Sequence, residues 1–269
     1  MKFLEFGAWS LEFYIGQKLA VWKVMCLLLV GAISACNSDS APDCFQRTGA
    51  IAKAEVVLPA FSKITVFENV SLVLRQGDIQ KVEIETGENL RNEVTATVEG
   101  DRLLLRDTND CNYVRAYGST TIYVTSPNIN EIRSSTGRTI ESDGVLAYPS
   151  LTLFSESFLN SESETTDGFF DLAVATENLT AIVNGITYFK LRGNTNSLTV
   201  NIAAGDSRIE AGDLVAERIT INHRGSNNMF VNPQAAIEGV IRGTGDVISS
   251  NRPALIEVEE LYKGRLIFK

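Results

Sequence analysis

The feature that most constrains this chain is a strand-like phrase that returns about every twenty residues in its second half. Leu179-Thr-Ala-Ile, Leu198-Thr-Val-Asn and Ile219-Thr-Ile-Asn share one pattern and begin 19 and 21 residues apart. Ile237-Glu-Gly-Val follows 18 residues later, and Leu151-Thr-Leu-Phe is an earlier copy. A second set lies between them: Tyr188-Phe-Lys-Leu, Ser207-Arg-Ile-Glu, Asn228-Met-Phe-Val and Asp246-Val-Ile-Ser, each starting nine residues after its partner. The intervening turns also recur, as Gly205-Asp-Ser, Gly225-Ser-Asn-Asn and Gly243-Thr-Gly-Asp, with Ser134-Ser-Thr-Gly137 as a variant. Short strands at a fixed period with Gly, Asn, Ser and Asp turns predict an all-β, parallel β-helix-like solenoid with coils of about twenty residues. One coil cannot bury its own apolar face, whereas stacked coils share a core. Inward Leu, Ile and Val then alternate with outward Thr, Glu, Arg and Asn, and Asn201 and Asn222 occupy equivalent outward places where their amides can stack. A β-sandwich also has many short strands. The shared start of each strand and the near-constant spacing favour the solenoid.

The first half reads as strand as well. Val56-Val-Leu58, Ile64-Thr-Val66 and Val70-Ser-Leu-Val-Leu74 are rich in β-branched and large apolar residues, and Lys81-Val-Glu-Ile-Glu85 alternates cleanly. Val94–Val98 and Arg102–Leu105 flank Glu99-Gly-Asp101, the spacing of a tight hairpin. No segment has a convincing helical period. The acidic stretch from Phe158 to Asp167 reads as a loop leaving one coil. The end of the chain, Ile256 to Phe268, reads as a hairpin turning at Lys263-Gly264 that caps the open end of the stack.

Ahead of all this lies Val24–Ala35, an apolar, charge-free run of twelve residues. It suits the core of a signal peptide and is too short to span a bilayer as a helix, which takes roughly 20. It closes on Ile33-Ser-Ala-Cys36, the pattern of a bacterial lipoprotein cleavage site: a branched apolar residue, two small ones, then the thiol that accepts the lipid. Glu5 and Glu12 are foreign to a signal peptide's leading region. Either translation starts near Leu19 or Val21, or the signal peptide is unusually long. The expected organisation is a signal peptide over 1–35, a tether over 36–46 beginning at lipidated Cys36, and a single domain over 47–269. Several acyl chains on one cysteine anchor a protein firmly where one chain holds only marginally. This places the chain in the cell envelope, attached to the outer membrane and facing either the periplasm or the outside.

Removal of residues 1–35 takes Lys2, Lys18, Lys23, Glu5 and Glu12 with it, leaving 21 basic and 31 acidic residues and a net charge of −10. Such a surface repels nucleic acid and anionic membrane, so no nucleic-acid partner is expected. Of the four cysteines, Cys26 lies in the signal core and Cys36 is the lipid site, leaving Cys44 and Cys111. In an exported protein such a pair reads as a disulfide. The rival is a two-cysteine metal site, but no histidine lies near either cysteine.

Candidate chemistry is sparse. The single histidine, His223, is placed by alternation from Ile219 and Ile221 to point inward or into the next turn, where a structural role outweighs a catalytic one, and a multi-histidine zinc site is excluded. Asp206, Asp213 and Asp246 lie near turns of neighbouring coils. Calcium binding through turn oxygens competes with the ordinary use of Asp in turns, and the latter is favoured. Arg192, Arg208, Arg224 and Arg242 recur at intervals of 16 to 18 residues. They read either as an outward basic ladder, of the kind that supplies the base of a polysaccharide lyase on a β-helix, or as a solvated face balancing nearby carboxylates, and the second is favoured. Asn178-Leu-Thr is a formal glycosylation triplet with little weight in a bacterial chain. No catalytic residue, cofactor or metal site is expected.

Several phrases together resemble the family described as "putative auto-transporter adhesin, head GIN domain", common among lipoproteins of Bacteroidetes. They are Pro42-Asp-Cys-Phe45, Ile84-Glu-Thr-Gly-Glu-Asn-Leu90, Thr121-Ile-Tyr-Val-Thr-Ser-Pro127 with Ile132-Arg-Ser-Ser, and Gly243-Thr-Gly-Asp-Val. The resemblance spans nearly all of the expected mature chain. It implies a right-handed β-helix-like fold at the cell envelope and no catalytic residues. Three functional readings follow. The first is a non-catalytic envelope lipoprotein whose solenoid binds a glycan or a surface protein. The second is a carbohydrate-active, lyase-like enzyme on the same scaffold. The third is a spacer with no ligand.

Overall fold

The computed structural model describes residues 43–158 and 163–269; the expected signal peptide and Cys36 lie outside the described residues. The described chain is all-β. Its strands are β1 (Ile51–Val56), β2 (Lys63–Val66), β3 (Val70–Gln76), β4 (Lys81–Gly87), β5 (Val94–Glu99), β6 (Arg102–Asp107), β7 (Thr120–Ser126), β8 (Glu131–Ser134), β9 (Thr139–Leu146), β10 (Ser150–Ser155), β11 (Phe169–Val183), β12 (Tyr188–Ile202), β13 (Arg208–His223), β14 (Met229–Ile241), β15 (Val247–Ser249), β16 (Leu255–Glu260) and β17 (Leu266–Phe268). All of them belong to one sheet of mixed strand orientation, which winds into a nearly closed, barrel-like spiral. The helical elements among the described residues are two short turns, Asp43–Phe45 and Arg91–Glu93.

From β8 onward the pairing is parallel, and its register follows the repeats. Leu151, Leu179, Leu198, Ile219, Ile237 and Ile256 form one inward row across β10, β11, β12, β13, β14 and β16. Ile140, Phe170, Phe189, Ile209, Met229, Val247 and Leu266 form another across β9, β11, β12, β13, β14, β15 and β17. Both rows are fully buried until their last members, Ile256 and Leu266, which are only partly covered. Phe170 and Phe189 stack with ring centroids 4.7 Å apart. Each buried Leu, Ile or Phe contributes about 1.5–3 kcal/mol.

The long strands serve both rows by bending. In β11 the buried-exposed alternation runs to Thr176, breaks at the exposed pair Glu177-Asn178, and resumes at Leu179. β12 breaks its alternation at Asn196-Ser197, and β13 at Gly212-Asp213 and Glu217-Arg218. A break in the two-residue period keeps the apolar side inward on both sides of a corner, because consecutive strand residues point to opposite faces.

The amino-terminal third departs from the expected run of parallel coils. β1 pairs with β4, β4 with β7, and β5 with β6, all antiparallel. The β5–β6 pair is the expected hairpin, closed at Gly100, whose φ is +64°. The order in space also differs from the order in sequence. β2 lies between β6 and β8, and β3 lies between β7 and β9, so the first coil in the chain is inserted between two later ones.

The carboxyl end differs from the expected hairpin too. β16 and β17 do not pair with each other. β16 lies parallel to β14 and β17 parallel to β15. The turn at Lys263-Gly264 is instead the next corner in the stack: Gly264 donates its N–H to Gly243 O at 3.1 Å. A hairpin would have left the inward rows without Ile256 and Leu266 as their next members.

Cys44 and Cys111 are joined by a disulfide, which ties the first described turn to the segment after β6. Tyr113 N–H donates to Cys44 O at 2.9 Å and the Phe45 and Tyr113 rings lie 5.7 Å apart, so the staple sits in a small aromatic contact.

Candidate binding surface

In-register stacking turns each outward position of the repeat into a row. On one face Thr152, Thr180, Thr199 and Thr220 line up and give way to Glu238 and Glu257. Beside them run Phe154, Ile182, Asn201, Asn222, Val240 and Glu259. Neighbouring strands lie about 4.8 Å apart, which fixes the spacing within each row. Asn222 Nδ2 donates to Asn201 Oδ1 at 2.9 Å, so the expected amide stacking is formed. Thr220 Oγ1 donates to Glu238 Oε1 at 3.0 Å.

Corners stack as closely as strands. Gly205 has φ +91°, and a Cβ placed on it would lie 2.1 Å from Gly185 O. Gly243 has no room for a Cβ either, which would lie 2.0 Å from Gly225 O. The carbonyl of one corner therefore seats the α-carbon of the next, and only glycine satisfies that contact.

The four arginines in the expected ladder do not form one ladder. Arg192 pairs with Asp171, whose other oxygen faces Lys190 Nζ at 3.1 Å. Burial acts to raise the Asp171 pKa, but the hydrogen bonds from Lys190 and Arg192 outweigh it and hold this carboxyl below its ordinary value. Arg208 donates to Glu210 Oε1 from Nε at 2.6 Å and lies 4.9 Å over the Phe230 ring. Arg224 and Arg242 stand apart from both and next to each other. His223 pairs in register with Ile241, which puts the two arginines that follow them on adjacent coils.

These two side chains line an open groove of about 640 Å³ with Asn222, Val240, Leu261 and Tyr262. Ala203 precedes Arg224 in this column and Leu261 follows Arg242, since Ile202 pairs with His223 and Ile241 with Glu260. The column is thus low on one side and walled by an apolar side chain on the other. Leu261 is 57% exposed and Tyr262 is 55% exposed. Lys263 Nζ lies 5.8 Å from the Tyr262 ring. A second shallow groove, of about 530 Å³, runs alongside with Val240 in common and carries Glu238, Glu257 and Glu259. The end of the stack therefore bears a basic strip beside an acidic one.

Asp206, Asp213 and Asp246 are not brought together. Asp206 Oδ1 accepts from Ser226 Oγ at 2.7 Å, and Asp246 Oδ1 accepts the backbone N–H of Arg265 at 2.9 Å, both ordinary turn contacts. Among the described residues no three His, Cys, Asp or Glu side chains gather where they could hold a metal ion. His223 points inward as alternation predicts and is fully buried. Burial, the leading effect, lowers its pKa. The backbone near Asn227 and Gly245 and the Asp246 charge act weakly the other way, without closing a full hydrogen bond to either ring nitrogen.

Leu261 and Tyr262 escape the sequence reading because the segment reads as a hairpin. A signal for the arginine pair was present. Arg224 and Arg242 are 18 residues apart, the same interval as Ile219 to Ile237, so they share a column. Arg192, Arg208 and Arg224 are spaced by 16, which matches no coil length here and places them on different columns.

The fold defines an all-β protein whose one mixed sheet winds into a nearly closed, barrel-like spiral, with a corner of close-packed glycines and an exposed, row-patterned face. It belongs to the family described as "putative auto-transporter adhesin, head GIN domain", whose sequence profile matches residues 60–253. Among solved structures, a putative adhesin from Bacteroides fragilis superimposes with a TM-score of 0.72 at 17% identity, covering 83% of this chain and 99% of that one. A putative lipid binding protein from Parabacteroides distasonis superimposes with a TM-score of 0.60 at 16% identity, covering 83% and 98%. At these identities the likeness is one of fold. No curated protein sequence matches the chain. Among the described residues, no helix is long and apolar enough to cross a membrane.

Proposed function

We propose that this protein is an envelope lipoprotein, anchored through lipid on Cys36, whose single domain over 47–269 is a non-catalytic binding head for a glycan or a surface protein. In this reading residues 1–35 are the signal peptide and 36–46 the tether. The domain is a right-handed β-helix-like solenoid whose amino-terminal coils close in antiparallel strands. The observation that carries the binding role is the register: outward Thr152, Thr180, Thr199 and Thr220 fall into a straight row with the Asn201–Asn222 pair beside it. Repeat folds use such faces for extended ligands. The Cys44–Cys111 disulfide supports the envelope placement, because such bonds persist in oxidising compartments. The family and the Bacteroides fragilis neighbour support adhesion over catalysis.

The test is expression of the full chain and its Cys36→Ser variant in a bacterial host fed a labelled fatty acid. The expected outcome is label on the wild type only, with the variant lost from the membrane fraction. Equal labelling, or equal membrane retention, would refute the anchor. Exposure of the wild-type head to a panel of saccharides and envelope proteins, with substrate turnover monitored, then separates binding from catalysis.

A further inference from the structure

We propose that the groove at the carboxyl end of the stack is a subsite for an acidic saccharide. A carboxylate or sulfate is held between the Arg224 and Arg242 guanidiniums, and the sugar ring lies against Tyr262 and Leu261. This deepens the binding-head reading and rests on it.

The argument begins with charge. The chain carries a formal net charge of −9, so carboxylates to pair with are plentiful. Arg75, Arg102, Arg133, Arg192, Arg208 and Arg265 each form an ion pair with a carboxylate. Arg224 and Arg242 have no such pair among the described residues, although Glu238, Glu257 and Glu259 line the next groove. The nearer Glu260 is engaged elsewhere, on Arg265 at 3.5 Å and on the N–H of Leu266 at 2.8 Å. Arg224 and Arg242 follow the paired strand ends His223 and Ile241 and line one groove, so their like charges repel. Their cost is offset when an anion bridges them, and the planar guanidinium matches carboxylate and sulfate oxygens two at a time.

The rest of the groove selects a sugar over a bare ion. Asn222 already donates its amide N–H to Asn201, which orients it and turns its carbonyl oxygen to an incoming hydroxyl. Tyr262 and Leu261 are more than half exposed on a soluble face, and an aromatic ring with an apolar neighbour is the surface that the C–H face of a pyranose covers. A few placed polar groups beside an aromatic wall is the usual make-up of a small-ligand site. Asn222 lines the groove and is bonded to Asn201 on the neighbouring strand, so a chain of sugars can continue over the amides. A single pair of arginines on an acidic molecule is too little to hold nucleic acid, whose affinity comes from many phosphate contacts.

The experiment measures binding of the full-length protein, in a detergent without sugar headgroups, to three oligosaccharides of equal length. These are an oligogalacturonate, a sulfated heparin fragment and a neutral glucan. The same protein is tested against inorganic sulfate and against glycerol phosphate, the soluble headgroup chemistry of an anionic lipid. The expected result is binding of at least one acidic oligosaccharide, weakened by salt and about tenfold or more weaker in the Arg224→Gln/Arg242→Gln variant, the loss expected for charge-assisted hydrogen bonds. Tyr262→Ala weakens the saccharide while leaving inorganic sulfate unaffected. Arg75→Ala, on another face, changes neither. The preference between the first two oligosaccharides identifies the anion as carboxylate or sulfate. All substituted side chains are exposed, and an unchanged melting temperature confirms the fold. Should the arginine variant melt early, Tyr262→Ala alone decides.

Equal binding of the neutral glucan, acidic binding untouched by the variants, or binding of glycerol phosphate or sulfate with no saccharide bound would each overturn the subsite. A neutral-glucan or protein hit would do so while leaving the binding head standing. Failure of every saccharide and every envelope protein would sink both.

Discussion

At the scale of single residues, two positions carry sharp consequences. Gly205 seats its α-carbon on the Gly185 carbonyl at a φ of +91°. Gly205→Ala adds both strain and a clash, so it is expected to cost about 2 kcal/mol or more, read as an earlier chemical-denaturation midpoint with an unchanged slope. His223 makes a prediction about pH. Burial holds its folded-state pKa below the ordinary value. As pH falls, the unfolded chain therefore takes up the proton first. The stability owed to the neutral ring is complete above about pH 6.5 and drains away as pH falls toward the folded-state value. Melting temperature should drop between about pH 7 and pH 5, and His223→Leu, apolar like Ile202 and Ile241 beside it in the row, should flatten that dependence. A slope unchanged by the substitution would assign the pH dependence to carboxylates elsewhere. The inward placement of His223 was legible because alternation is local. The release of its neighbours Arg224 and Arg242 from any acid was not, since pairing depends on what the next coil offers.

At the scale of elements, the inward rows set the energetics and the outward rows are free to vary. Leu198 lies between Leu179 and Ile219 with no exposure, so Leu198→Ala is expected to cost about 2–5 kcal/mol. Thr199, its outward neighbour, sits in the threonine row, and Thr199→Ala is expected to stay within about 0.5 kcal/mol. Equilibrium unfolding of the two variants side by side checks the assignment of faces: similar costs would mean that the register is wrong. These elements were legible because each coil repeats the same local text, and the phrases starting at Leu151, Leu179, Leu198, Ile219 and Ile237 fall into one row. The last segment was misread because β16 and β17 are each followed or preceded by a turn of hairpin composition. Lys263-Gly264 looks the same in sequence whether it closes a hairpin or continues a stack. The partner strand, β14 or β15, decides, and it lies elsewhere in the chain.

At the scale of the whole molecule, the Cys44–Cys111 disulfide closes a loop of 67 residues around the antiparallel end of the stack. In the chain-entropy account such a loop is worth about 4 kcal/mol. The Cys44→Ser/Cys111→Ser variant is expected to lose about that much stability, and reducing agent should lower the melting temperature of the wild type toward that of the variant. A wild type indifferent to reductant would mean that the staple fastens the tether and not the fold. The disulfide was legible from arithmetic on the cysteines. The mixed orientation of the first third was not, because β1, β4 and β7 pair over long and unequal separations that leave no period behind.

The insertion of β2 and β3 between later strands gives the chain a direction in time. Residues 63–76 are synthesised before either neighbour, yet β2 needs β6 and β8, and β3 needs β7 and β9, before its edges are covered. Such pairings are non-local, and their loop-closure entropy is spent before any contact repays it. The stretch up to β9 must therefore come together as one cooperative knot, the slow step of folding. From β10 on, each coil has a finished template waiting and can be laid down by short-range steps, in the order in which it is made.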